Sequence, residues 1–330
     1  MTQSKTLFVL SDVHYACDAE RERGVTEFHV IQNPLVRVLV RGYRHFIWRR
    51  DPFAHNHRLD QFLAGANGAD FVVANGDYSC DTAFIGLSDP ASYESAGQCI
   101  ARLRSAFGSS VEFTIGDHEL GKTSLFGEKG GLRLASFSAT KQLGLQSHWT
   151  RELDDFVLVG VTSSLIALPV YEPEALPGER GHWRELREQH LSEIRNTFSS
   201  LDPGQKVLLF CHDPTALPYL AEEREIRSKL NQIAVTLIGH LHSNLYLWQS
   251  RLLAGMPPIR FLGNSVRRMS TALNQARCWK AFQTRLCPSL GGIELLDDGG
   301  YFQIQLRKDR EAAMHFRWHP LPRKVAASTP

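Results

Sequence analysis

Short apolar runs rich in β-branched residues recur along the chain and indicate buried strands. The runs are Thr6–Leu10, Phe71–Ala74, Val111–Ile115, Val207–Phe210 and Val235–Ile238, with Phe156–Val161 as a sixth candidate. Several are separated by helical patterns, such as residues 182–198, where apolar side chains at helical spacing lie opposite charged ones. Strands that alternate with helices predict an α/β layered fold.

A polar cluster follows directly after each of the first five runs. The clusters are Ser11-Asp12-Val13-His14, Asn75-Gly76-Asp77, Gly116-Asp117-His118-Glu119, Cys211-His212-Asp213-Pro214 and Gly239-His240-Leu241-His242. Ligands of layered α/β proteins bind just beyond the carboxyl ends of the strands. A glycine at such an end also permits a tight turn out of the strand. We therefore expect the five clusters to converge on one site.

These clusters contain two carboxylates and four imidazoles suited to binding metal ions. The residues are Asp12, Asp77, His14, His212, His240 and His242. Mixed imidazole and carboxylate ligands suit Mn, Fe or Zn, whereas carboxylates alone favour Mg or Ca. Two cations about 3.5–4 Å apart can share a bridging carboxylate and a bridging hydroxide that attacks phosphorus. One Asp-x-His or His-x-His alone is commonly a surface turn, but the full series after predicted strands indicates a two-metal centre.

The ordered series resembles a known signature. Asp12-Val13-His14, Gly76-Asp77, Gly116-Asp117-His118-Glu119, His212-Asp213-Pro214 and Gly239-His240-Leu241-His242 are similar to the DxH…GD…GNH(D/E)…H…GHxH signature of the calcineurin-like metallophosphoesterases, over about residues 6–242. The resemblance implies a four-layer αββα sandwich, in which helices cover the outer faces of two sheets. It also implies cleavage of a phosphoester or pyrophosphate by a hydroxide that bridges two divalent ions, with Mn expected and Fe or Zn as alternatives.

The resemblance further implies a role for each site residue. One ion would be bound by Asp12, His14, Asp77 and His242, and the second by Asp77 as a bridge, His212, His240 and residue 117. His118, oriented by Glu119, would stabilise the phosphoryl transition state or protonate the leaving oxygen. Position 117 departs from the signature, because an aspartate stands where the family has asparagine. We expect Asp117 to remain a ligand and to alter metal preference; the alternative is that it turns away and weakens the second site.

Residues 116–123 also match the P-loop expression GxxxxGK(S/T) after a predicted strand. A P-loop needs backbone amides at the start of a helix to cradle phosphates. Here Asp117 and Glu119 would lie where the phosphates belong, and the glycines at 127, 130 and 131 leave little room for a helix. The match also leaves the four histidines unexplained, so it is disfavoured. Lys122 remains a candidate substrate contact, with a solvated loop lysine as the alternative.

Charge is distributed unevenly over the sequence. The net charge is only +2, and 43% hydrophobic and 22% charged residues are typical of a soluble globular protein. However, residues 28–50 and 226–293 contain several basic residues but no aspartate or glutamate. Such regions suit an anionic substrate or surface, or else lie apart and only solvate the fold. Within the second region, Arg267 and Arg268 could bind a distal phosphate or form a solvated pair.

A helical insertion is predicted at about residues 24–58, between the first two core motifs, where the connection is unusually long. Asn33 suits the N-cap, Pro34 suits the first helical position, and Asp51-Pro52 supplies a stop. One face carries Leu35, Leu39, Tyr43, Phe46 and Ile47, and another carries Arg37, Arg41, Arg44 and Trp48. A basic amphipathic helix with Trp and Phe suits contact with a membrane or with acyl chains. Equally, such a helix could pack its apolar face on the domain and expose the arginines.

The remaining sequence completes a single domain over residues 1–317. A second helix is predicted over Ala272–Leu286, and a hairpin over Gly291–Leu306 with its turn at Asp297-Asp298-Gly299-Gly300. Residues 318–330 are expected to form a flexible tail. Neither a signal peptide nor an apolar stretch of membrane length is visible, and the six cysteines lack CxxC spacing, so a cytoplasmic protein is expected.

One branch of the superfamily combines this core with basic, apolar insertions: the UDP-2,3-diacylglucosamine pyrophosphohydrolases of lipid A synthesis. Resemblance to that branch implies hydrolysis of a nucleotide-linked glycolipid to lipid X and UMP, and peripheral binding to the inner face of a membrane. The alternative enzyme is a soluble phosphodiesterase or nuclease, although no RNA-binding motif favours nucleic acid as a partner. An inactive metal-binding scaffold is the alternative of another class. No obligate protein partner is indicated.

Overall fold

The computed structural model describes residues 4–26, 31, 34–48, 51–80, 82–122, 130–293, 295–307 and 314–321. Within these residues the strands form two five-stranded sheets. The first sheet has the spatial order β10-β9-β1-β2-β3 and contains β1 (Lys5–Leu10), β2 (Phe71–Asn75), β3 (Val111–Thr114), β9 (Gly300–Leu306) and β10 (Met314–Pro320). The second sheet follows chain order and contains β4 (His148–Leu153), β5 (Phe156–Val161), β6 (Lys206–Cys211), β7 (Ile233–Ile238) and β8 (Thr284–Leu286). The six strands predicted from the apolar runs are all present.

Parallel pairing brings the motif-bearing strand ends together. In the first sheet β1, β2 and β3 are parallel neighbours, with Val9 opposite Val73. In the second sheet β5 to β8 are parallel, and β4 is antiparallel to β5. Parallel strands end at the same edge of a sheet, so the polar residues after each strand share that edge. The edges of the two sheets meet where Asn75 Nδ2 donates to the carbonyl of Leu237 at 3.3 Å.

Helices connect the strands and cover the sheets. They are α1 (Asp18–Arg23), α2 (Pro34–Tyr43), α3 (Asn56–Gly65), α4 (Pro90–Phe107), α5 (Asp117–Leu120), α6 (Leu134–Gln142), α7 (Ser163–Ile166), α8 (Leu168–Tyr171), α9 (Arg180–Ser199), α10 (Leu217–Glu222), α11 (Arg224–Ser228), α12 (Asn244–Leu252) and α13 (Asn264–Gln275). Local sequence sets their limits. At α4, Asp89 caps the amide of Ser92, Pro90 takes the first position, and Gly108 ends the helix at φ 58°. None of the described helices is long and apolar enough to cross a bilayer.

Alternate side chains of each strand enter two different hydrophobic clusters. On β1, Leu7 and Val9 pack between the sheets, whereas Phe8 and Leu10 pack under the helices. Fully burying one such side chain contributes about 1.5–3 kcal/mol. Because both faces of the strands are buried, the sheets lie face to face with helices outside them. The predicted αββα sandwich is confirmed.

Three predictions of local structure near the end of the chain are wrong. The helix predicted over Ala272–Leu286 divides into the end of α13, a 3-10 segment Ala276–Phe282 and strand β8, because β8 pairs with β7. β9 pairs with β10, so the described residues within 291–306 form no hairpin; before β9, Ile293 N donates to Asp298 Oδ1 at 2.8 Å. The predicted tail begins too early, since β10 continues to Pro320. The rest of it, residues 322–330, lies outside the described residues.

Over residues 34–48 the insertion forms α2 followed by a π-helical turn, Arg44–Trp48. Its end contacts the domain, where the hydroxyls of Tyr43 and Tyr246 lie 2.5 Å apart. Leu35, Leu39 and Phe46, in contrast, are 75%, 71% and 71% exposed. The alternative in which the helix buries its apolar face on the domain is therefore wrong for these side chains, because most of their surface stays exposed. The expected N-cap, Asn33, lies outside the described residues.

Candidate metal centre

Five of the predicted ligands have left-handed backbone conformations. Their φ angles are 51° and 49° after β1, 60° after β2, and 60° and 58° after β7, for Asp12, His14, Asp77, His240 and His242 respectively. For a residue other than glycine this conformation costs about 1–3 kcal/mol and persists only where the surrounding structure enforces it. Residues with strained backbone conformations are concentrated at functional sites. Here the left-handed conformation directs the side chains of the five residues toward one point.

Glycines in three motifs allow the strand ends to approach closely. A Cβ atom at Gly76 would lie 2.6 Å from His212 Nδ1. A Cβ atom at Gly116 would likewise collide with Asp77, and one at Gly239 would collide with Ser11. The motifs of both sheets therefore meet at backbone distance, which only glycine permits.

The first group of ligands consists of Asp77, Asp117, His212 and His240. His212 Nδ1 lies 2.5 Å from the carbonyl of Asn75, which can only accept, so Nδ1 carries the hydrogen. His212 Nε2 then presents a lone pair to Asp77 Oδ2 at 3.1 Å and to Asp117 Oδ1 at 3.4 Å. Neither Nε2 nor Asp77 Oδ2, both buried, makes a hydrogen bond within the described residues. Facing lone pairs at this distance fit a cation placed between them.

The second group consists of Asp12, His14 and His242. His242 Nε2 is 3.4 Å and His14 Nε2 is 3.9 Å from Asp12 Oδ1, and the two imidazoles are stacked at 5.0 Å. The other Asp12 oxygen accepts from Ser11 Oγ at 2.5 Å, which fixes the carboxylate. His14 Nδ1 lies 3.3 Å from the Ser79 carbonyl, so Nε2 is directed to the centre. The two groups adjoin, because His212 Nε2 is 4.0 Å from Asp12 Oδ1.

The electrostatics of the site also favour bound cations. Burial lowers the pKa of His240, but the carboxylates of Asp117 and Asp213 outweigh burial and raise it to about 9. Burial likewise opposes the charged form of His212, yet Asp77 and then Asp12 hold its pKa well above the ordinary range. The buried carboxylates thus attract positive charge onto the imidazoles. Divalent ions would replace those protons, so the donor set fits two metal ions.

Asp117 faces the metal centre. Its Oδ1 is 2.9 Å from His240 Nδ1, and its Oδ2 is 3.9 Å from Arg268 Nη1. Burial raises the pKa of Asp117, but His240 and His212 outweigh burial and hold it well below the usual value. The carboxylate therefore does not turn away from the metal centre. That Asp117 binds a metal ion remains a prediction. Arg268 supplies positive charge beside the aspartate that replaces asparagine.

His118 lies in a single helical turn, α5, beside both ligand groups. Its Nδ1 lies 3.1 Å from the carbonyl of Cys80, so Nδ1 donates. Its Nε2 lies 3.7 Å from Asp77 Oδ2, and its ring centroid lies 4.7 Å from that of His14. Burial lowers the pKa of His118 to about 4. The imidazole is thus held with Nε2 toward the centre, where it can hold or move a proton.

Glu119 braces the backbone of two motifs and does not orient His118. Its Oε2 accepts from the amides of Asp77 at 3.0 Å and Gly116 at 2.8 Å, and its Oε1 accepts from that of Tyr78 at 2.8 Å. The expectation that Glu119 positions the imidazole is therefore wrong, because all these partners are backbone N–H groups. The Cys80 carbonyl positions His118 instead. Glu119 fixes the loop that carries Asp77.

The P-loop interpretation of residues 116–123 is wrong. The helix after β3 ends at Leu120, and the chain leaves it at Gly121 with φ 106°. Thr123 lies outside the described residues. Lys122 places its Nζ 4.5 Å from the ring centroid of Phe84, at the wall of a groove next to the centre. Lys122 therefore lines this groove, and its contact with a substrate remains a prediction.

Only one of the two adjacent arginines reaches the site. Arg268 lies 5.0 Å from the ring centroid of Tyr171, whose hydroxyl donates to Asp213. Arg267 turns away, and its Nη2 lies 3.9 Å from Glu174 Oε1. Sequence analysis did not assign roles to Asp213 and Tyr171. The position of Asp213 next to His212 could have indicated the first, whereas nothing in the sequence marks Tyr171.

An apolar groove of about 580 Å³ extends from the metal centre. Its polar end contains Asp213, His240 and Arg268, and its walls come from the insertion, α12 and α13. The wall residues are Val40, Tyr43, Arg44, Trp48, Tyr246, Leu253, Met269, Ala272 and Leu273. Among the other predicted contact residues, Arg37 donates to the carbonyl of Ile31 at 2.7 Å, and Arg41 is exposed. The insertion therefore forms part of the site.

Comparison with known proteins identifies the family. Residues 5–244 match the family model for calcineurin-like phosphoesterases. A dimetal phosphatase from Danio rerio is similar in structure, with 15% identity, 95% of each chain covered and a TM-score of 0.44. A purple acid phosphatase from yellow lupin (Lupinus luteus) seeds has 10% identity and a TM-score of 0.43, over 98% of this chain and 53% of that one.

A phosphoesterase predicted in Streptococcus pneumoniae has 10% identity and a TM-score of 0.27, over 97% of this chain and 100% of that one. Comparison with curated proteins gave no match. The family match spans most of the chain and all the motifs that form the centre. The protein therefore belongs to the calcineurin-like phosphoesterases and is a metal-dependent phosphohydrolase with a centre for two divalent metal ions.

Proposed function

We propose that the protein hydrolyses a phosphoester or pyrophosphate bond of an amphiphilic substrate whose apolar part lies in the groove. The observation that carries this proposal is the continuity of the groove with the metal centre, since His240 and Asp213 form one end and apolar side chains form the walls. The narrowest form of the proposal is hydrolysis of UDP-2,3-diacylglucosamine to lipid X and UMP. The acyl chains would then lie against the insertion.

The two divalent ions, when bound, would lower the pKa of an attacking water and neutralise charge on the phosphoryl oxygens. Asp12, His14 and His242 would hold one ion, and Asp77, Asp117, His212 and His240 would hold the other. The carbonyls of Asn75, Cys80 and Ser79 fix the tautomers of His212, His118 and His14, so each Nε2 is aimed before substrate arrives. Such preorganisation avoids reorienting dipoles during the reaction.

The chain offers further groups to the phosphate and the leaving oxygen. Arg268 Nη1 is buried and makes no hydrogen bond within the described residues, so it can donate to a phosphoryl oxygen. Lys122 lines the same end of the groove. His118 Nε2 faces the centre, and from this position it can hold or transfer a proton at the leaving oxygen.

The apolar walls provide the selectivity. Each methylene group moved from water into the groove contributes about 0.8 kcal/mol, so a short acyl chain adds several kcal/mol to binding. Trp48 and Tyr246, with ring centroids 5.6 Å apart, give one wall a rigid aromatic surface. A substrate without an apolar group would leave these walls in water.

A nuclease or soluble phosphodiesterase has weaker support. Arg251, Arg277, Lys280 and Arg285 line a separate cavity of about 770 Å³, which contains none of the metal-centre residues. Positive charge there does not lead a phosphate backbone to the centre. An inactive scaffold would need a disrupted ligand set, whereas these side chains are assembled within 4.8 Å of one another in each group.

The test compares acylated and deacylated substrates on the Mn²⁺-loaded protein, with bis(p-nitrophenyl) phosphate as a generic diester. We expect hydrolysis of the diester and at least a tenfold higher kcat/KM for UDP-2,3-diacylglucosamine than for UDP-glucosamine, about 1.4 kcal/mol. Leu253→Asn in the groove should reduce this preference, while the matched control Leu176→Asn should not. Equal kcat/KM for both nucleotide sugars would contradict the amphiphilic substrate, and no diester hydrolysis would support the inactive scaffold.

A further inference from the structure

Large apolar side chains are exposed on three elements: α2 with the turn after it, α12, and the segment before α13. Both helices and α13 contribute side chains to the walls of the groove. On α2 and the turn after it, Leu35, Leu39 and Phe46 are 75%, 71% and 71% exposed. On α12, Trp248 and Leu252 are 59% and 70% exposed, and Phe261, before α13, is 85% exposed. These six side chains are called the apolar face. Single exposed apolar residues are ordinary, but a large patch of them marks an interaction site.

Hydrogen bonds fix the elements that carry the apolar face. The hydroxyls of Tyr43 and Tyr246 join the end of α2 to α12. The segment before α13 is also fixed, because Ile259 N donates to Ser270 Oγ at 2.8 Å and Asn274 Nδ2 donates to the Met256 carbonyl at 2.9 Å. The segment that carries Phe261 is therefore tied to α13 while the ring itself stays exposed.

Helical spacing directs the exposed side chains of each helix outward together. Leu35 and Leu39 are four residues apart on α2, as are Trp248 and Leu252 on α12, so each pair occupies one helix face. None of the six residues lines the groove. The six side chains of the apolar face thus lie on, or next to, helices that form the groove walls, but outside the groove itself.

The charged residues in the segments that carry the apolar face are basic. Residues 28–50 and 226–293, which include all three elements, contain no acidic residue. Arg41 on α2, Arg251 on α12 and Arg260 next to Phe261 are exposed. Basic residues beside exposed Trp, Phe and Leu are the combination that binds anionic lipid interfaces.

We propose that the apolar face docks on an anionic lipid bilayer, with the groove opening at the membrane surface. A protein partner on this face would cover the groove, whereas a bilayer would leave it in contact with amphiphilic molecules. Docking itself does not depend on the proposed substrate; the delivery of an amphiphile to the metal centre does. The substrate's phosphate would reach the ions from the lipid surface while its apolar part moved from the bilayer to the groove.

The experiment measures sedimentation of the full chain with sucrose-loaded vesicles of phosphatidylcholine, alone or with about one-third phosphatidylglycerol. We expect at least about tenfold stronger binding to the anionic vesicles, and weaker binding as salt rises. Leu39→Glu with Trp248→Glu should abolish this binding. The matched control, Leu176→Glu with Trp318→Glu, changes residues that are 44% and 45% exposed on other elements and should bind as the wild type does.

Arg41→Gln with Arg251→Gln should lower binding to anionic vesicles by about tenfold and leave the weak binding to neutral vesicles unchanged. Hydrolysis of bis(p-nitrophenyl) phosphate should change less than about twofold in every variant, because none of these residues lines the groove. That readout also shows that the variants fold.

Three outcomes would overturn the proposal: no binding of the wild type to anionic vesicles, equal loss in the control pair, or a wild-type dimer in light scattering that the apolar-face variants lose. The last would assign the face to a second copy of the chain. Vesicle binding without a preference for acylated substrate would refute the proposed function alone. A preference for acylated substrate without vesicle binding would refute docking alone.

Discussion

The indole ring of Trp48 lies against the imidazole of His242, with ring centroids 4.8 Å apart. Trp48 belongs to the insertion, and His242 belongs to the motif after β7. The same indole lies 6.1 Å from Tyr43 and 5.6 Å from Tyr246. One side chain therefore joins the insertion, the groove and the ligand group around Asp12.

Replacing Trp48 should weaken the metal centre without removing a ligand. An aromatic contact contributes about 0.5–1.5 kcal/mol beyond burial, so Trp48→Ala should weaken metal binding by about two- to tenfold. Trp48→Phe keeps a ring and should have a smaller effect. The measurement is the Mn²⁺ concentration at half-maximal hydrolysis of bis(p-nitrophenyl) phosphate. Equal values for both variants and the wild type would show that the contact does not support His242.

Replacing Asp117 tests the prediction that it is a metal ligand. Asp117→Asn restores the residue of the family signature but removes a charge next to His212 and His240. We expect the affinity for one of the two ions to fall about tenfold, near 1.4 kcal/mol, and metal preference to change. Metal stoichiometry by elemental analysis and turnover with Mn²⁺ and Zn²⁺ provide the measurement. Unchanged values would contradict the ligand assignment.

Substitutions of Glu119 and His118 should affect different properties: Glu119→Gln should mainly lower stability, and His118→Asn should mainly lower the catalytic rate. Glu119→Gln replaces a buried carboxylate that accepts from three backbone amides, so we expect a loss of about 2–4 kcal/mol in the free energy of unfolding. His118→Asn should change stability much less and should lower kcat by about 10²–10⁴-fold. Urea unfolding in EDTA and steady-state kinetics measure the two effects. A stable Glu119→Gln protein with low kcat would instead support a direct catalytic role.

His148 should make stability depend on pH. Burial, and then His190, lower its pKa from 6.5 to about 4 in the folded state. The unfolded state consequently binds more protons between these values, so stability is complete above pH 6.5 and falls as pH decreases toward 4. Because the side chain is partly solvated, we expect a loss of about 1–2 kcal/mol.

The measurement for His148 is urea unfolding in EDTA at several pH values between 7 and 4. His148→Gln should give a flatter pH profile than the wild type. The neighbouring His190 has a lowered pKa as well, so part of the slope should persist in the variant. Parallel profiles for the two proteins would show that His148 contributes nothing to the slope.

Local sequence determines the strands and the ligand motifs. Asp12, Asp77 and His240 each follow a buried run within a few residues, and Gly76 and Gly239 supply the turns that close approach requires. Parallel pairing then places such residues at a common edge, so order along the chain suffices to predict a shared site. The αββα arrangement follows from the same alternation together with the family signature.

Contacts between distant segments decide what the sequence left open. The Ala272–Leu286 segment becomes partly a strand only because β7 offers it an edge, and Glu119 braces backbone amides that folding brings to it. Arg268 and Tyr171 reach the centre from helices without a recognisable motif. The exposure of Leu39 depends on the absence of a covering element within the described residues, which periodicity does not report. Periodicity and motifs depend on residues that are close in sequence, so they can be read from the sequence alone. Strand pairing, burial and charge compensation depend on residues that are close in space, so only the tertiary structure decides them.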